Sequence, residues 1–296
     1  MKNLLIIGGS KFIGKAFVDY FNFQNKFKNL TITIISKKNI YIPKKNKKII
    51  IIKKNFKNIR KLPNCDYILY CLRTESIKDD NKLFSLFEKK LLKLKTRPKV
   101  IFTSSGSVYG ANNKKKKIKE SKKIKTLNVE NMVKYKKKWS KQKTNMERNF
   151  YLLSKKNYKI LILRMFSFIG INLIPQDYAP SNFIKFGIKE KPIKINGPIN
   201  TYRSYLHEKN LVEWIVKIFY KFIKSYEIYN FGSDIPITVH KLAKKIGKYF
   251  DQKNIILLNN SKRIDYFVPS IEKLKKSFKL KISISLDKAI LKTIKK

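Results

Sequence analysis

The first fourteen residues constrain the fold more than any other stretch of the chain. Leu4-Leu5-Ile6-Ile7 is a short apolar run ending in the pair Gly8-Gly9, and the segment from about residue 12 to 21 then reads as a helix. That is strand, tight turn, helix. Gly8 lacks a Cβ, so the backbone can bend sharply there. The free N–H groups of the helix's first turn, around Ser10, Lys11, Phe12 and Ile13, combine with the helix dipole to favour a pyrophosphate. Gly14, one turn into the helix, permits close packing on the strand. An ordinary βα turn without a ligand would carry the same spacing, so the motif needs support from the rest of the chain.

That support comes from the order of elements. Strands are expected at 30–35, 49–52, 67–71, 100–103 and 159–165, with helices at 81–94 and 134–150 between them. Short apolar runs alternating with amphipathic segments imply an α/β fold, a doubly wound parallel sheet of the Rossmann type, with ligands at the carboxyl ends of the strands. Shorter elements follow: helices at 180–188 and 211–223, strands at 193–195 and 228–231, and helices starting near Val239 and Ser270. We expect a dinucleotide-binding domain over 1–165 and a smaller C-terminal α/β substrate domain over 166–296, with some segments returning to the first.

Several residues stand where this fold puts chemistry. The second strand ends at Ser36-Lys37-Lys38, where an acid would bond a ribose 2′-OH and a small polar residue followed by bases suits a 2′-phosphate, so the sequence leans to NADP over NAD. The strand at 100–103 runs into Ser104-Ser105-Gly106-Ser107-Val108-Tyr109-Gly110, placing hydroxyls at a strand's carboxyl end. Tyr135, Trp139, Lys143 and Glu147 recur every four residues and form one helical stripe.

The charge is extreme, 69 Lys+Arg against 19 Asp+Glu, a net +50. Such a field attracts polyanions at low salt. Only seven of the bases are Arg, the residue suited to planar phosphate and base recognition, so no specific nucleic-acid partner is expected. Lysine runs at 114–117 and 136–138 read as solvated faces. Cys65 and Cys71 lack metal-ligand spacing and read as core thiols of a reducing compartment; no metal is expected. No run approaches a membrane span, and the apolar run after Lys2 is too short for a signal peptide, so a cytoplasmic protein is expected.

The ordered motifs resemble those of the extended short-chain dehydrogenase/reductases, the NAD(P)-dependent nucleotide-sugar epimerase/dehydratase family, over nearly the whole chain. They are the glycine turn at 8–14, Asp66, Asn81, Ser-Ser-Gly-Ser-Val-Tyr-Gly at 104–110, Lys143 with Glu147, and 163–170. Tyr202-Arg203-Ser204-Tyr205-Leu206-His207, Tyr229-Asn230-Phe231-Gly232-Ser233 and Arg263-x-Asp265 follow. The resemblance implies an enzyme of polysaccharide biosynthesis, a nucleotide-sugar epimerase or 4-keto-sugar reductase moving a hydride between nicotinamide and a sugar carbon. It implies that Ser105 hydrogen-bonds the reacting oxygen and that Lys143 holds the nicotinamide ribose and lowers the pKa of a tyrosine four residues earlier. It also implies that Arg203 and Arg263 hold the nucleotide diphosphate, that Ser167 and Asn182 face the substrate, and that a homodimer pairs through a bundle containing 134–150.

The departures carry weight. The tyrosine position is Trp139, whose indole N–H is a donor only and does not titrate usefully. Tyr135 lies one turn earlier, about 5.4 Å along the axis. Lys11 replaces the middle glycine, and Ser167 replaces an Asn. Gly106-Ser107 stands where water-eliminating members keep an Asp-Glu pair, which argues against a 4,6-dehydratase. Two readings follow: an active epimerase or reductase, and a catalytically impaired chain that binds dinucleotide or nucleotide sugar.

Overall fold

The computed structural model describes residues 1–296 apart from 25, 43–45, 123, 125–133, 175–177, 252–253, 260 and 295–296, and apart from the side chains of 134–136. In chain order the elements begin β1 (Lys2–Ile7), α1 (Phe12–Phe23), β2 (Leu30–Ser36), β3 (Ile49–Lys53), β4 (Tyr67–Tyr70), α2 (Ile77–Leu91), β5 (Lys99–Ser105), α3 (Lys134–Ser154) and β6 (Ile160–Met165). They continue with β7 (Ser167–Ile169), α4 (Ala179–Ile188), β8 (Ile193–Ile195), β9 (Thr201–Arg203), β10 (Tyr205–His207), α5 (Glu208–Lys221) and β11 (Tyr226–Phe231). The last are β12 (Ile237–Thr238), α6 (Val239–Gly247), β13 (Ile255–Leu257), β14 (Asp265–Tyr266), α7 (Glu272–Phe278) and α8 (Leu286–Ile294).

The chain divides into two units. The first comprises Met1–Val108, Lys138–Arg164 and Val212–Tyr229. Its centre is a seven-stranded sheet in the order β11-β6-β5-β4-β1-β2-β3, a Rossmann-type arrangement. The pairings of β1 with β2 and β4, of β2 with β3 and of β4 with β5 are parallel. From β1 the chain steps outward to β2 and β3, then returns to β4 on the other side. Connections therefore leave β1 and β4 in opposite directions, and a crevice opens at their carboxyl ends. Leu4 to Ile7 are at most 1% exposed, as a strand covered on both faces requires.

Helix α3 is held on β4 and β5 by aromatic rings. Phe150 stacks on Phe102 with centroids 4.6 Å apart, and Tyr70 meets the edges of Phe150 at 5.2 Å and Phe87 at 5.0 Å. A buried ion pair fixes the same helix to β6: Glu147 accepts from Arg164 Nε at 3.0 Å and Nη2 at 2.7 Å, and from Ser104 Oγ at 2.6 Å. Removing one partner of such a pair costs about 3–5 kcal/mol, because the other charge is left buried and alone.

Two helix starts differ from expectation. Helix α2 opens at Ile77 rather than at Asn81, because Ser76 caps it, its hydroxyl accepting from the Asp79 amide at 3.0 Å, and Asp79 and Asp80 suit the positive end of the dipole. Helix α5 opens at Glu208, three residues before Leu211, with the acid again in its first turn.

The second unit comprises Tyr109–Lys137, Met165–Leu211 and Asn230–Lys296. It contains the pairs β10-β7 and β13-β8 and the three-stranded sheet β12-β9-β14, with a core built from Ile169, Phe183, Ile193, Leu242, Ile246 and Ile290. Asn230 ties its segments together. The amide of that side chain donates to Ile118 O at 2.8 Å and Ser270 O at 3.3 Å, and its oxygen accepts from Tyr109 OH at 2.7 Å. Among the described residues no helix is long and apolar enough to cross a membrane, and no cluster of three or more His, Cys, Asp or Glu side chains is placed to hold a metal.

The glycine bend supplies a stability test. A Cβ at Gly14 would sit 1.9 Å from the carbonyl oxygen of Gly9, so the backbone must shift. Gly14→Ala is expected to cost about 1–3 kcal/mol and to lower Tm by several degrees, while Lys11→Ala stays within about 0.5 kcal/mol, both read by thermal unfolding.

Candidate active site

The bend at the end of β1 is fixed from two sides. Gly8 has φ +90, a conformation that a side chain rarely adopts, and its amide donates to Ile35 O at 3.1 Å. The Cys71 amide donates to Ile7 O at 2.8 Å from the other side. A Cβ on Gly8 would lie 2.8 Å from the Leu72 nitrogen, so the end of β4 approaches as closely as a bare backbone allows. Lys11 behaves differently from the glycines around it. At φ −112 it occupies ordinary extended backbone, which any residue adopts, and its side chain is exposed. The lysine therefore does not distort the bend. No side chain caps α1 and no acid stands in its first turn, so the positive end of its dipole is not neutralised from within the helix. Ser10, Phe12 and Ile13 are half-buried around it.

At the end of β2, Ser36 is buried and its hydroxyl is engaged in its own turn, donating to Lys38 O at 2.6 Å and accepting from Lys38 N at 3.2 Å. Lys37 is exposed. The expected pair is thus split: the serine shapes the turn, and the lysine is left to face solvent or a ligand.

Ser105 ends β5, half-buried, and its oxygen accepts from the Ser107 amide at 3.2 Å. Ser140 Oγ donates to Ser107 O at 2.9 Å and so ties α3 to the turn that follows β5. One turn of α3 on, Lys143 is 6% exposed and its ammonium donates to Thr103 O at 2.8 Å. It lies 4.7 Å from the ring centre of Phe102 and 4.6 Å from that of Trp139. The guanidinium carbon of Arg73, in the loop after β4, is also 4.6 Å from the Trp139 ring centre. The indole is therefore in contact with two cations. Burial pushes the Lys143 ammonium down to about 8; Asp80, Cys71 and Glu147 oppose that shift and Arg73 adds to it.

Both carboxylates near Lys143 are committed elsewhere. Asp80 accepts from Thr74 Oγ1 at 2.7 Å and Gln142 Nε2 at 3.1 Å, and Glu147 holds Arg164 and Ser104. Burial also pushes the Cys71 thiol up to about 12, which keeps it neutral. Tyr135 belongs to α3, but its side chain lies outside the described residues. Sequence reasoning missed Arg73. Its signal was available, since it is one of seven arginines and stands three residues past the end of β4. A groove of about 710 Å³ runs along α2, lined by Ile77, Lys78, Asn81, Ser85 and Lys89, and offers no acid and base in contact.

The remaining candidates belong to the second unit. Arg203 Nη2 meets Asp265 Oδ2 at 2.7 Å, its Nη1 donates to Tyr202 O at 2.7 Å, and its guanidinium lies 5.6 Å from the Phe267 ring centre. Strands β9 and β14 bring the two together through the register Thr201↔Asp265 and Tyr202↔Tyr266. Arg263, two residues before β14, is exposed. Ser167 starts β7 opposite Tyr205, and Asn182 sits half-buried in the first turn of α4.

A model of the NAD dependent epimerase/dehydratase family matches residues 4–232. No curated protein matches the chain in sequence. Similar solved structures include a UDP-glucose 4-epimerase of Thermotoga maritima with UDP-glucose, at 16% identity and TM-score 0.80, covering 99% of this chain and 97% of that one. A dTDP-glucose 4,6-dehydratase of Bacillus anthracis with NAD gives 17% identity and TM-score 0.82, covering 100% and 96%. A UDP-glucuronic acid 4-epimerase of Bacillus cereus with UDP-glucuronic acid and NAD gives 18% and 0.82, covering 99% and 98%. At these identities the likeness speaks for the fold alone.

The buried amine leaves a mark on stability. Its folded pKa, about 8, lies below the ordinary 10.5, so between those values the unfolded chain binds more protons and the stability contributed by this group rises with pH. Lys143→Met removes the cost of burying the charge. The variant's advantage over the unmodified chain is expected to be greatest below about pH 8 and to shrink by about 3 kcal/mol as pH rises towards 10.5, measured by urea unfolding across that range.

Proposed function

The chain belongs to the NAD dependent epimerase/dehydratase family, and from that premise we propose that it is an NAD(P)-dependent nucleotide-sugar epimerase or 4-keto-sugar reductase. The observation that carries this reading is the bend at Gly8. A Cβ at Gly8 would clash with the backbone of Cys71 and Leu72, and one at Gly14 with the backbone of Gly9, so only glycines allow the bend to lie this close to the start of α1, which carries no internal anion. These residues fit a dinucleotide pyrophosphate, with Ser10 to Ile13 around the helix start and exposed Lys11 as an added point charge. Exposed Lys37 supports the lean to NADP. When bound, the nicotinamide supplies or accepts a hydride.

The chain's own residues orient and hold. Ser105, at the carboxyl end of β5, would hydrogen-bond the sugar oxygen. Lys143, tied to the same strand through Thr103 O, would stand beside the cofactor ribose. In the second unit, Arg203 and Arg263 would take the nucleotide diphosphate, with Asp265 holding Arg203's fork in place, and Ser167 and Asn182 would contact the sugar. The UDP-sugars and NAD carried by the Thermotoga and Bacillus structures support this substrate and cofactor class.

A specific observation favours a second reading. Trp139 is pinned by Arg73 and Lys143 where a titrating phenol would be expected. On that reading the chain binds dinucleotide and nucleotide sugar without turnover. The two separate on one experiment. Purified protein is titrated with NADH and NADPH by calorimetry, then incubated with reduced cofactor and 4-keto nucleotide sugars, and with oxidised cofactor and UDP-hexoses. The first reading expects binding, tighter for NADPH, together with cofactor or sugar turnover. Binding with no turnover in the unmodified chain and turnover in Trp139→Tyr would establish the second.

A further inference from the structure

We propose that Lys143 is itself the proton-transferring group of this site, taking over the work that a phenol at residue 139 would do. The proposal rests on the enzymatic reading above and deepens it. Residue 139 cannot exchange a proton at useful pH, because an indole N–H only donates. Lys143 can. Its ammonium has one hydrogen bond, to Thr103 O, and no carboxylate at ion-pair distance among the described residues. Two aromatic rings cover its other sides. The ring faces and the Thr103 carbonyl stabilise the ammonium, but burial away from water with no carboxylate in contact outweighs them and eases loss of its proton.

The surroundings act in both directions: burial and Arg73 favour the neutral amine, while Asp80, Cys71 and Glu147 favour the ammonium without reaching it. From the loop after β4, Arg73 brings a second positive charge onto the same indole, and Cys71 is a neutral thiol. From α2, Asp80 is occupied by Thr74 and Gln142. On α3 itself Glu147 is occupied by Arg164 and Ser104, and β5 offers only the Thr103 carbonyl. Burial brings the amine to about 8, where ammonium and amine are both present near neutrality, as a general acid and base requires. Of the two rings on the amine, Phe102 is fully buried and Trp139 half-buried, so on this proposal substrate reaches the amine past the indole.

The chemistry balances with one proton. In the reducing direction the proton passes from the Lys143 ammonium to the ketone oxygen, while the carbonyl carbon takes a hydride from a reduced nicotinamide; the C=O π pair becomes the O–H bond and lysine is left as the amine. Solvent then re-protonates it. In the oxidising direction the amine accepts the hydroxyl proton.

The test begins without cofactor. Lys143 is close enough to Trp139 for its charge to alter the indole emission, and only one other tryptophan, Trp214, is present. A fluorescence titration through neutral and alkaline pH is expected to show a transition near 8 that is absent from Lys143→Met and from Trp139→Phe, and that moves upward in Arg73→Gln. Trp139→Phe keeps the amine, so it guards against a Lys143→Met chain that misfolds. With cofactor and substrate, Lys143→Arg keeps the positive charge but cannot release its proton. It should bind dinucleotide within a fewfold of the unmodified chain and lose turnover by roughly 10²–10⁴. Full turnover in Lys143→Arg, or a transition that survives Lys143→Met, overturns the proposal. Turnover without the titration overturns the lysine's role alone; the titration without turnover overturns both that role and the enzymatic reading beneath it.

Discussion

The first unit depends on the contact between α3 and the strands beneath it. Phe150 on Phe102, with Tyr70 at the edge, sets how deep the helix sits, and the Glu147–Arg164 pair with Ser104 sets its register along β5 and β6. Trp139, Lys143 and Glu147 occupy one face, each a turn apart. Once the rings fix that face, Lys143 has little choice but to place its amine on the Thr103 carbonyl. The position of the candidate chemistry follows from the packing of an aromatic core together with a buried ion pair.

The same contact explains why a tryptophan is tolerated on this stripe. A side chain at 139 meets the Lys143 amine on one side and the loop after β4 on the other. An indole fills that space with a flat apolar ring and gives both cations an electron-rich face. A phenol would add a titrating hydroxyl, and the indole removes that option beside a buried amine. Burial is the main cause that lowers the pKa of the Lys143 amine, with Arg73 adding to it and Asp80, Cys71 and Glu147 opposing it.

The polycationic composition bears on these features less than its size suggests. The cations that matter to the site are few and each is engaged: buried Lys143 and Arg164, half-buried Arg203 and exposed Arg73 each have a ring, a carbonyl or a carboxylate as neighbour. A lysine at residue 11 fits because its backbone angle is ordinary, whereas Gly8 and Gly14 stand where angle or space excludes a side chain. Composition fills the exposed positions, and geometry selects at the remainder.

By itself the sequence determined the alternating α/β order, the strands of the central sheet and the family. Buried parallel strands are apolar runs, and a glycine bend before a helix can be read without neighbours. It read less well where the signal is short or diluted: α2 starts at a serine cap upstream of its apolar stripe, and β7, β9, β10, β12 and β14 are two or three residues long, too short for a period. Only the tertiary structure decided that Arg73 joins Trp139 and Lys143, that Ser36 turns its hydroxyl inward, that Asp265 takes Arg203, and that Asp80 and Glu147 are committed away from the amine. These are contacts between residues far apart in the chain, or competitions among several partners for one group. A sequence states which groups are present; how much water each retains, and which neighbour claims it, is settled when the segments pack.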